Sequence, residues 1–173
     1  MKTVGACGVC CVDIYNIVSE FPLVNSKTRS QSSHIEVGGN ATNVLTILST
    51  LSSSNAPLSL RLTSMIGDDL FGHFIVDTLK PRIDVSCVVR GMTRTPLSQI
   101  LVSGVNQSER TIIHSPATLE LAASDLQPSD FVSDLDLLFL DGRQLSAATE
   151  LVKHVNYDRT QVYLELERVR DEK

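Results

Sequence analysis

The sequence predicts an α/β fold with a mainly parallel β-sheet. Apolar, strand-like runs alternate with helical segments along most of the chain, which is typical of parallel strands joined by covering helices. Gly38-Gly39 ends a polar strand and opens an apolar helix, as expected where the chain turns sharply between two such elements. A hairpin at 97–105 and 110–114 and the polar strand at 28–37 break the alternation, so we expect a small sheet apart from the core.

The elements follow from local patterns. Fully apolar runs predict buried strands, and alternation predicts half-exposed ones. Asp68 or Asp69 is expected to cap the second helix. The loop at 116–128 is expected to hold a short helix. Strands are predicted at 3–12, 28–37, 58–66, 85–90, 97–105, 110–114, 135–140 and 161–166, and helices at 43–52, 70–79 and 146–155.

Length and composition limit the class of protein. The 173 residues suffice for one domain, and 42% hydrophobic with 20% charged residues is ordinary for a globular protein. A net charge of -5 without basic clusters argues against a nucleic-acid partner. No apolar run approaches the roughly 20 residues of a membrane span. The start of the chain has no signal-peptide pattern, so we expect no membrane association and a cytoplasmic location.

The cysteines and two early glycines predict no cofactor site. Cys7, Cys10 and Cys11 share one apolar run, and no second ligand pair accompanies them. We therefore expect buried, reduced thiols and no metal site. Gly5 and Gly8 lie inside the apolar run rather than before a helix, so they do not form a dinucleotide-binding turn.

The strongest candidate site surrounds the glycine turn. Gly38 and Gly39 let the backbone approach a ligand closely, because neither has a Cβ. Asn40 and Asn43 are three residues apart, so their amides share one face of the first helical turn. Each amide donates and accepts hydrogen bonds, which suits a ligand rich in hydroxyls. A glycine turn with an asparagine N-cap is the alternative interpretation.

Carboxylates and arginines mark further candidates. Asp13 and Asp141 each follow an apolar run, and ligands of open α/β sheets bind at the carboxyl ends of strands. Both could equally be turn or cap residues. Arg110 and Arg143 could bind a phosphate or be solvated charges. Glu167, like Glu165, could form the edge of a site or a solvated strand end.

Together these segments resemble the ribokinase-like (PfkB) carbohydrate kinases, and most closely their ketohexokinase branch. The resemblance covers the whole chain in register. It rests on Asp13, on Gly-Gly-Asn-Ala-Thr-Asn at 38–43, on Gly-Asp-Asp-Leu-Phe-Gly at 67–72, and on the segments at 95–96, 109–113, 140–143 and 164–168.

The resemblance implies an α/β sandwich with a β-sheet lid, formed near 14–40 and 95–115, that often serves as a homodimer interface. It implies transfer of the γ-phosphoryl group of ATP, with Mg²⁺, to a sugar hydroxyl. Asp13, Gly39, Asn40 and Asn43 would hold sugar hydroxyls, and Arg110 would meet phosphate or the reacting end of the sugar.

The chain departs from the family pattern in one respect. The family's Gly-Ala-Gly-Asp anion hole and catalytic aspartate are expected in a second half, and no Gly-x-Gly-Asp occurs here. We therefore expect residues 1–173 to be the sugar-binding half of a kinase, as a fragment, a truncated gene product or a splice form, and to be inactive alone. The alternatives are a nucleoside kinase and a non-catalytic protein that binds a sugar or a partner.

Overall fold

A computed structural model describes residues 1–103 and 108–166. Its main sheet has four strands in the order β10-β9-β1-β4, and all three pairings are parallel. The predicted α/β class with a mainly parallel sheet is therefore confirmed. The four strands are β1 (Lys2–Cys7), β4 (Leu58–Thr63), β9 (Leu137–Leu140) and β10 (Gln161–Leu164).

A second four-stranded sheet stands apart from the first, as predicted. Its order is β3-β2-β7-β8; the central pair is parallel and the two outer pairs are antiparallel. We call it the lid sheet; it consists of β2 (Cys11–Ile17), β3 (Ser32–Gly38), β7 (Leu97–Ser103) and β8 (Glu109–Ser115). A parallel two-stranded sheet is formed by β5 (Met65–Gly67) and β6 (Val89–Gly91).

The helices bury their apolar sides against the main sheet. One core cluster joins α1 and α2 to β1 and β4 through residues such as Leu45, Ile75 and Leu62. A second cluster packs α3 and α4 against β9. No helix in the described residues is both long and apolar enough to cross a membrane. The helices are α1 (Asn40–Leu51), α2 (Leu70–Leu79), α3 (Pro128–Val132) and α4 (Leu145–Lys153), with a 3-10 turn at Ala123–Asp125.

The apolar run at 3–12, predicted to be one strand, is divided between the two sheets. β1 ends at Cys7 and β2 begins at Cys11. The break follows from Gly8 and Val9: a Cβ at position 8 would overlap the Asp141 carboxylate, and Val9 N donates to Asp141 Oδ2 (2.7 Å). This connection carries the chain from the core into the lid sheet.

Several other boundaries differ from the prediction. The run at 58–66 breaks at Ser64, because the chain leaves β4 to pair with β6. The strand predicted at 85–90 shortens to β6, since Val88 N bonds to the carbonyl of Val85 in a turn. Helix α1 begins at Asn40, three residues earlier than predicted. The segment at 106–109, which joins the two predicted hairpin strands, lies partly outside the described residues.

Asp69 caps α2, as predicted. Its Oδ1 accepts hydrogen bonds from Gly72 N (2.9 Å) and from Thr95 Oγ1 (2.6 Å), and its Oδ2 accepts from Thr95 N (2.9 Å). Burial raises the pKa of this carboxyl, but the hydrogen bonds from Thr95 and Gly72 outweigh it, and the pKa is lowered overall. One carboxylate therefore joins the start of α2 to the start of β7.

We expect Asp69→Ala to lower the free energy of unfolding by about 1 kcal/mol or more near neutral pH, because the cap is lost. A carboxyl whose pKa is lowered by folding contributes stability above its unfolded pKa of roughly 3.9. That contribution disappears as the pH falls through the lower folded pKa, so the variant and the wild type should converge in strong acid. Urea denaturation across this pH range measures the difference. The exposed neighbour substitution Asp68→Ala is the control, and an equal loss there would contradict the assignment.

Strand β10 exposes apolar side chains at the edge of the main sheet. Tyr163 and Leu164 are 61% and 51% exposed, and among the described strands β10 pairs only with β9. Exposed apolar edge strands promote association between chains. We therefore expect the isolated 173-residue chain to be oligomeric or aggregation-prone.

Static light scattering over a concentration series tests this expectation. Leu164→Lys should reduce association, because a charge on an edge strand opposes pairing. Leu145→Lys, at a leucine that begins α4 and is 68% exposed, should not. A monodisperse wild-type monomer with a sharp cooperative melt would show that the edge does not drive association.

Candidate functional site

A cavity of about 600 Å³ lies between the carboxyl ends of β1 and β9, the first turn of α1 and the inner face of the lid sheet. Seven of the predicted site residues line it, although they come from four separate parts of the chain. These are Asp13, Gly39, Asn40, Asn43, Arg110, Asp141 and Arg143. Gly38 does not line the cavity, and Glu167 lies outside the described residues.

The glycine turn brings the start of α1 to the cavity wall. Gly39 is the N-cap residue and has φ +99°, a conformation that side chains other than glycine rarely adopt. A Cβ there would also overlap the carbonyl oxygen of Val9. No side-chain cap closes the helix, so the alternative interpretation of an asparagine N-cap is wrong. Asn40 and Asn43 instead share the cavity-facing side of the first turn.

Asp13 lies inside a lid strand rather than at the end of a core strand, which corrects the sequence-based placement. It is the third residue of β2, and its pairing partners in the sheet are Glu36 and Ser98. A Cβ at Gly38 would overlap the Asp13 carboxylate, so this glycine leaves room for the acid. Cys11 Sγ donates a hydrogen bond to Asp13 Oδ1 (3.3 Å) and helps to orient it.

Asp141 follows β9 directly, as predicted, and is only 1% exposed. Its carboxylate accepts hydrogen bonds from Val9 N (2.7 Å) and from Arg143 N (2.9 Å). Asp141 therefore stabilises two backbone turns. This is one of the two roles that the sequence analysis considered for it. It also borders the cavity, so its carboxylate contributes negative charge to the wall that the core strands form.

The lid sheet contributes further residues that were not among the predicted site residues. Cys11, Tyr15, Ser98, Ile100, Ile112 and His114 line the cavity. Alternation along the strands was the available signal, because side chains two residues apart point to the same face. Starting from Asp13 it selects Cys11 and Tyr15, and starting from Arg110 it selects Ile112 and His114.

The cavity wall carries both charge and apolar surface. Arg110 and Arg143 supply positive charge, opposite in sign to Asp13 and Asp141. Tyr15 stacks on His34 of the neighbouring strand with ring centroids 4.7 Å apart and planes at 6°. The arrangement can hold a small polyol between hydrogen-bonding groups while an arginine faces any phosphate attached to it.

The cysteines are free thiols, and Cys7, Cys10 and Cys11 are buried, as predicted. Burial raises the pKa of Cys10 to about 12. Burial also raises the pKa of Cys7 and Cys11 strongly, with neighbouring Asp141 and Asp13, respectively, adding to the effect. Thiols protonated to this degree are poor nucleophiles. In the described part of the chain, no group of three or more His, Cys, Asp or Glu side chains is placed to hold a metal ion.

Comparison with known proteins defines the class of protein. The chain belongs to the pfkB family of carbohydrate kinases, whose family model matches residues 1–168. Among curated relatives, ketohexokinase of Mus musculus is 24% identical over 180 residues. That alignment covers 99% of this chain and 59% of the mouse protein, so the chain spans less than two thirds of its relative's length.

Solved structures show the same fold at low sequence identity. Ribokinase from Thermotoga maritima superposes with a TM-score of 0.75 at 17% identity, covering 95% of this chain and 52% of that one. Arabidopsis thaliana ribokinase, determined in complex with ribose and ATP, gives a TM-score of 0.74 at 16% identity, covering 95% and 53%. The fold is therefore ribokinase-like, with the lid sheet as its smaller part.

Proposed function

We propose that this chain is the sugar-binding part of an ATP-dependent sugar kinase of the ketohexokinase or fructokinase type. The observation that carries the proposal is the shared cavity of Asp13, Asn40 and Asn43. One carboxylate and two amides on neighbouring walls offer acceptors and donors to adjacent hydroxyls. A ketohexose presents such a set of hydroxyls, and the family relationship supports this chemistry.

The remaining candidate residues are proposed to lie around the bound sugar. Arg110 meets a phosphate through its guanidinium, which can form two parallel hydrogen bonds with phosphate oxygens. Asp141 and Arg143 border the site, and Glu167 is proposed at the same edge on the strength of the family resemblance. Gly38 leaves room for the Asp13 carboxylate, and Gly39 adopts the positive-φ conformation that the turn before α1 requires.

ATP is the proposed phosphoryl donor, as expected for a kinase of this family. The catalytic base and the anion hole are assigned to no residue of this chain, because it contains no Gly-x-Gly-Asp segment. Phosphoryl transfer depends on positioning and on electrostatic stabilisation of the migrating group. We therefore expect residues 1–173 to bind sugar without transferring phosphate. Mg²⁺ would accompany ATP, and we assign it no ligand among the described residues.

The lid sheet is also the proposed homodimer interface. Ile35 and Ile113 lie on strands at its two edges, on the face turned away from the cavity, and are 49% and 57% exposed. Apolar surface of this kind supports contact with a second lid sheet. The proposed setting for the protein is the cytoplasm.

Calorimetric titration of the chain with D-fructose, D-ribose, D-glucose and adenosine tests the function. We expect binding of fructose in preference to the other three, and no ATP-dependent phosphorylation in a parallel coupled assay. Extending the chain with its natural downstream coding sequence should restore phosphorylation if that sequence supplies Gly-x-Gly-Asp. Binding without activity in the extended protein would support a non-catalytic sugar-binding protein, and no binding by either form would overturn the proposal.

A nucleoside kinase is the second candidate, and one observation favours it. Tyr15, Ile100 and Ile112 place aromatic and apolar surface on the lid side of the cavity, where a base could pack. Ser98 and His114 lie on the same face and favour a more polar ligand. Tighter binding of adenosine than of fructose in the titration would select this candidate.

A further inference from the structure

A row of polar residues crosses the lid sheet at the level of Asp13. The strand register pairs Asp13 of β2 with Ser98 of β7, and Ser98 with His114 of β8. All three side chains line the cavity. Two interstrand spacings of about 4.8 Å separate Asp13 from His114, so the row is about 10 Å long. His114 therefore stands at the end of the site remote from α1.

Ser98 fixes the orientation of the His114 ring. Ser98 Oγ and His114 Nδ1 are 3.2 Å apart and share a hydrogen bond, and Ser98 is only 6% exposed. Because Nδ1 is hydrogen-bonded to Ser98, Nε2 is the ring nitrogen that can form a hydrogen bond with a ligand. His114 is itself exposed on the edge strand β8, but a ring bonded to a buried hydroxyl presents Nε2 in a more defined direction than an unbonded ring does.

The surroundings of His114 favour the neutral imidazole. Partial burial and the positive charge of Arg143 lower its pKa, and the negative charge of Asp13 opposes them. Arg110, from the same strand, adds a second guanidinium to the cavity wall. A neutral imidazole has one donor and one acceptor nitrogen, so it matches a hydroxyl, which can also do both.

We propose that His114 is a specificity-determining residue that hydrogen-bonds one particular hydroxyl of the sugar at the β8 end of the cavity. This inference rests on the proposed sugar-binding function and adds a contact to it. Hydroxyls at the α1 end of the cavity are bound by Asp13, Asn40 and Asn43. A hydroxyl at the β8 end is bound by His114. A site built to hydrogen-bond a hydroxyl strongly rejects an analogue that lacks it, so the pair Ser98–His114 would select among sugars of similar size.

Two substitutions separate this role from a structural one. His114→Leu removes both nitrogens, and we expect the affinity for D-fructose to fall about tenfold. His114→Gln retains a donor and an acceptor at similar reach, and we expect it to keep most of the affinity. His154→Leu, at the C-cap residue of α4 outside the cavity, is the matched control and should bind fructose as the wild type does.

Monodeoxy fructoses identify the hydroxyl involved. Calorimetric titration of the wild type and of His114→Leu with each monodeoxy-D-fructose forms a double-mutant cycle between side chain and ligand. One deoxy sugar should bind both proteins equally, because the partner of His114 is already missing from it. For the other deoxy sugars, the roughly tenfold difference between the two proteins should persist.

The outcomes distinguish this inference from the proposed function. If fructose binds and Asp13→Asn weakens it while His114→Leu does not, the inference is overturned and the sugar site stands. The inference is also overturned if every deoxy sugar shows the same loss in His114→Leu, because the effect is then structural. If wild type binds none of the sugars, the proposed function and this inference both fail.

Discussion

The Asp13→Asn variant is expected to bind D-fructose about 10- to 100-fold more weakly than the wild type, with little change in thermal stability. A carboxylate accepts hydrogen bonds at both oxygens, whereas the amide replaces one acceptor with a donor. The substitution preserves shape, which matters because Gly38 leaves just enough space for this side chain. Cys11 keeps an oxygen to which its thiol can donate.

Calorimetric titration measures the loss, and thermal unfolding checks that the fold is intact. Asp77→Asn is the matched control, since Asp77 is an exposed residue of α2 that does not line the cavity. It removes the same charge and should leave fructose affinity unchanged. In a protein that also carries the ATP site, ATP affinity should hardly change in Asp13→Asn. Equal weakening by both substitutions, or equal loss of sugar and ATP binding, would show that Asp13 does not bind the sugar.

The Gly39→Ala variant is expected to lose about 3 kcal/mol of unfolding free energy. A backbone conformation at φ +99° and ψ 140° costs a residue with a Cβ about 1–3 kcal/mol, and the overlap with the Val9 carbonyl adds to this. For a chain of this size the melting temperature should fall by roughly 6–12 °C. Sugar affinity should fall as well, because the turn places Asn40 and Asn43 on the cavity wall.

Differential scanning calorimetry and fructose titration of the same samples test both effects. Gly91→Ala is the matched control: its new methyl group would meet mainly the flexible end of Met65, and its backbone conformation is ordinary. We expect a change below about 1 kcal/mol there. A Gly39→Ala protein as stable as Gly91→Ala would show that the turn at 39 is not strained in the way described.

The fold class was predictable because the core strands and helices carry strong local patterns. The bounds of α2 were predicted correctly, and the fully apolar run ending at Leu140 forms β9. The division of the run at 3–12 was not predictable from its own residues. It depends on the Asp141 carboxylate, which is more than a hundred positions away and bonds to Val9. Local patterns cannot report a contact between such distant segments.

In the candidate site, too, features set by neighbouring residues were predictable, and features set by distant segments were not. Asn40 and Asn43 were predicted from their spacing on one helical turn. Asp13 was predicted at the end of a core strand, because the switch from one sheet to the other at Cys11 was not visible, although it does line the cavity. His114 was overlooked, since its place beside Ser98 at the cavity comes from strand register rather than from any motif.

The central claim is that Asp13, Asn40 and Asn43 form one site for a sugar. Titrating the ¹⁵N-labelled chain with D-fructose and following the amide resonances by NMR tests it most directly. We expect fructose-dependent shifts concentrated in residues 11–15, in the first turn of α1 and in the lid strands that face the cavity. Shifts confined to the groove between α1 and α2, or no shifts at saturating fructose, would contradict it.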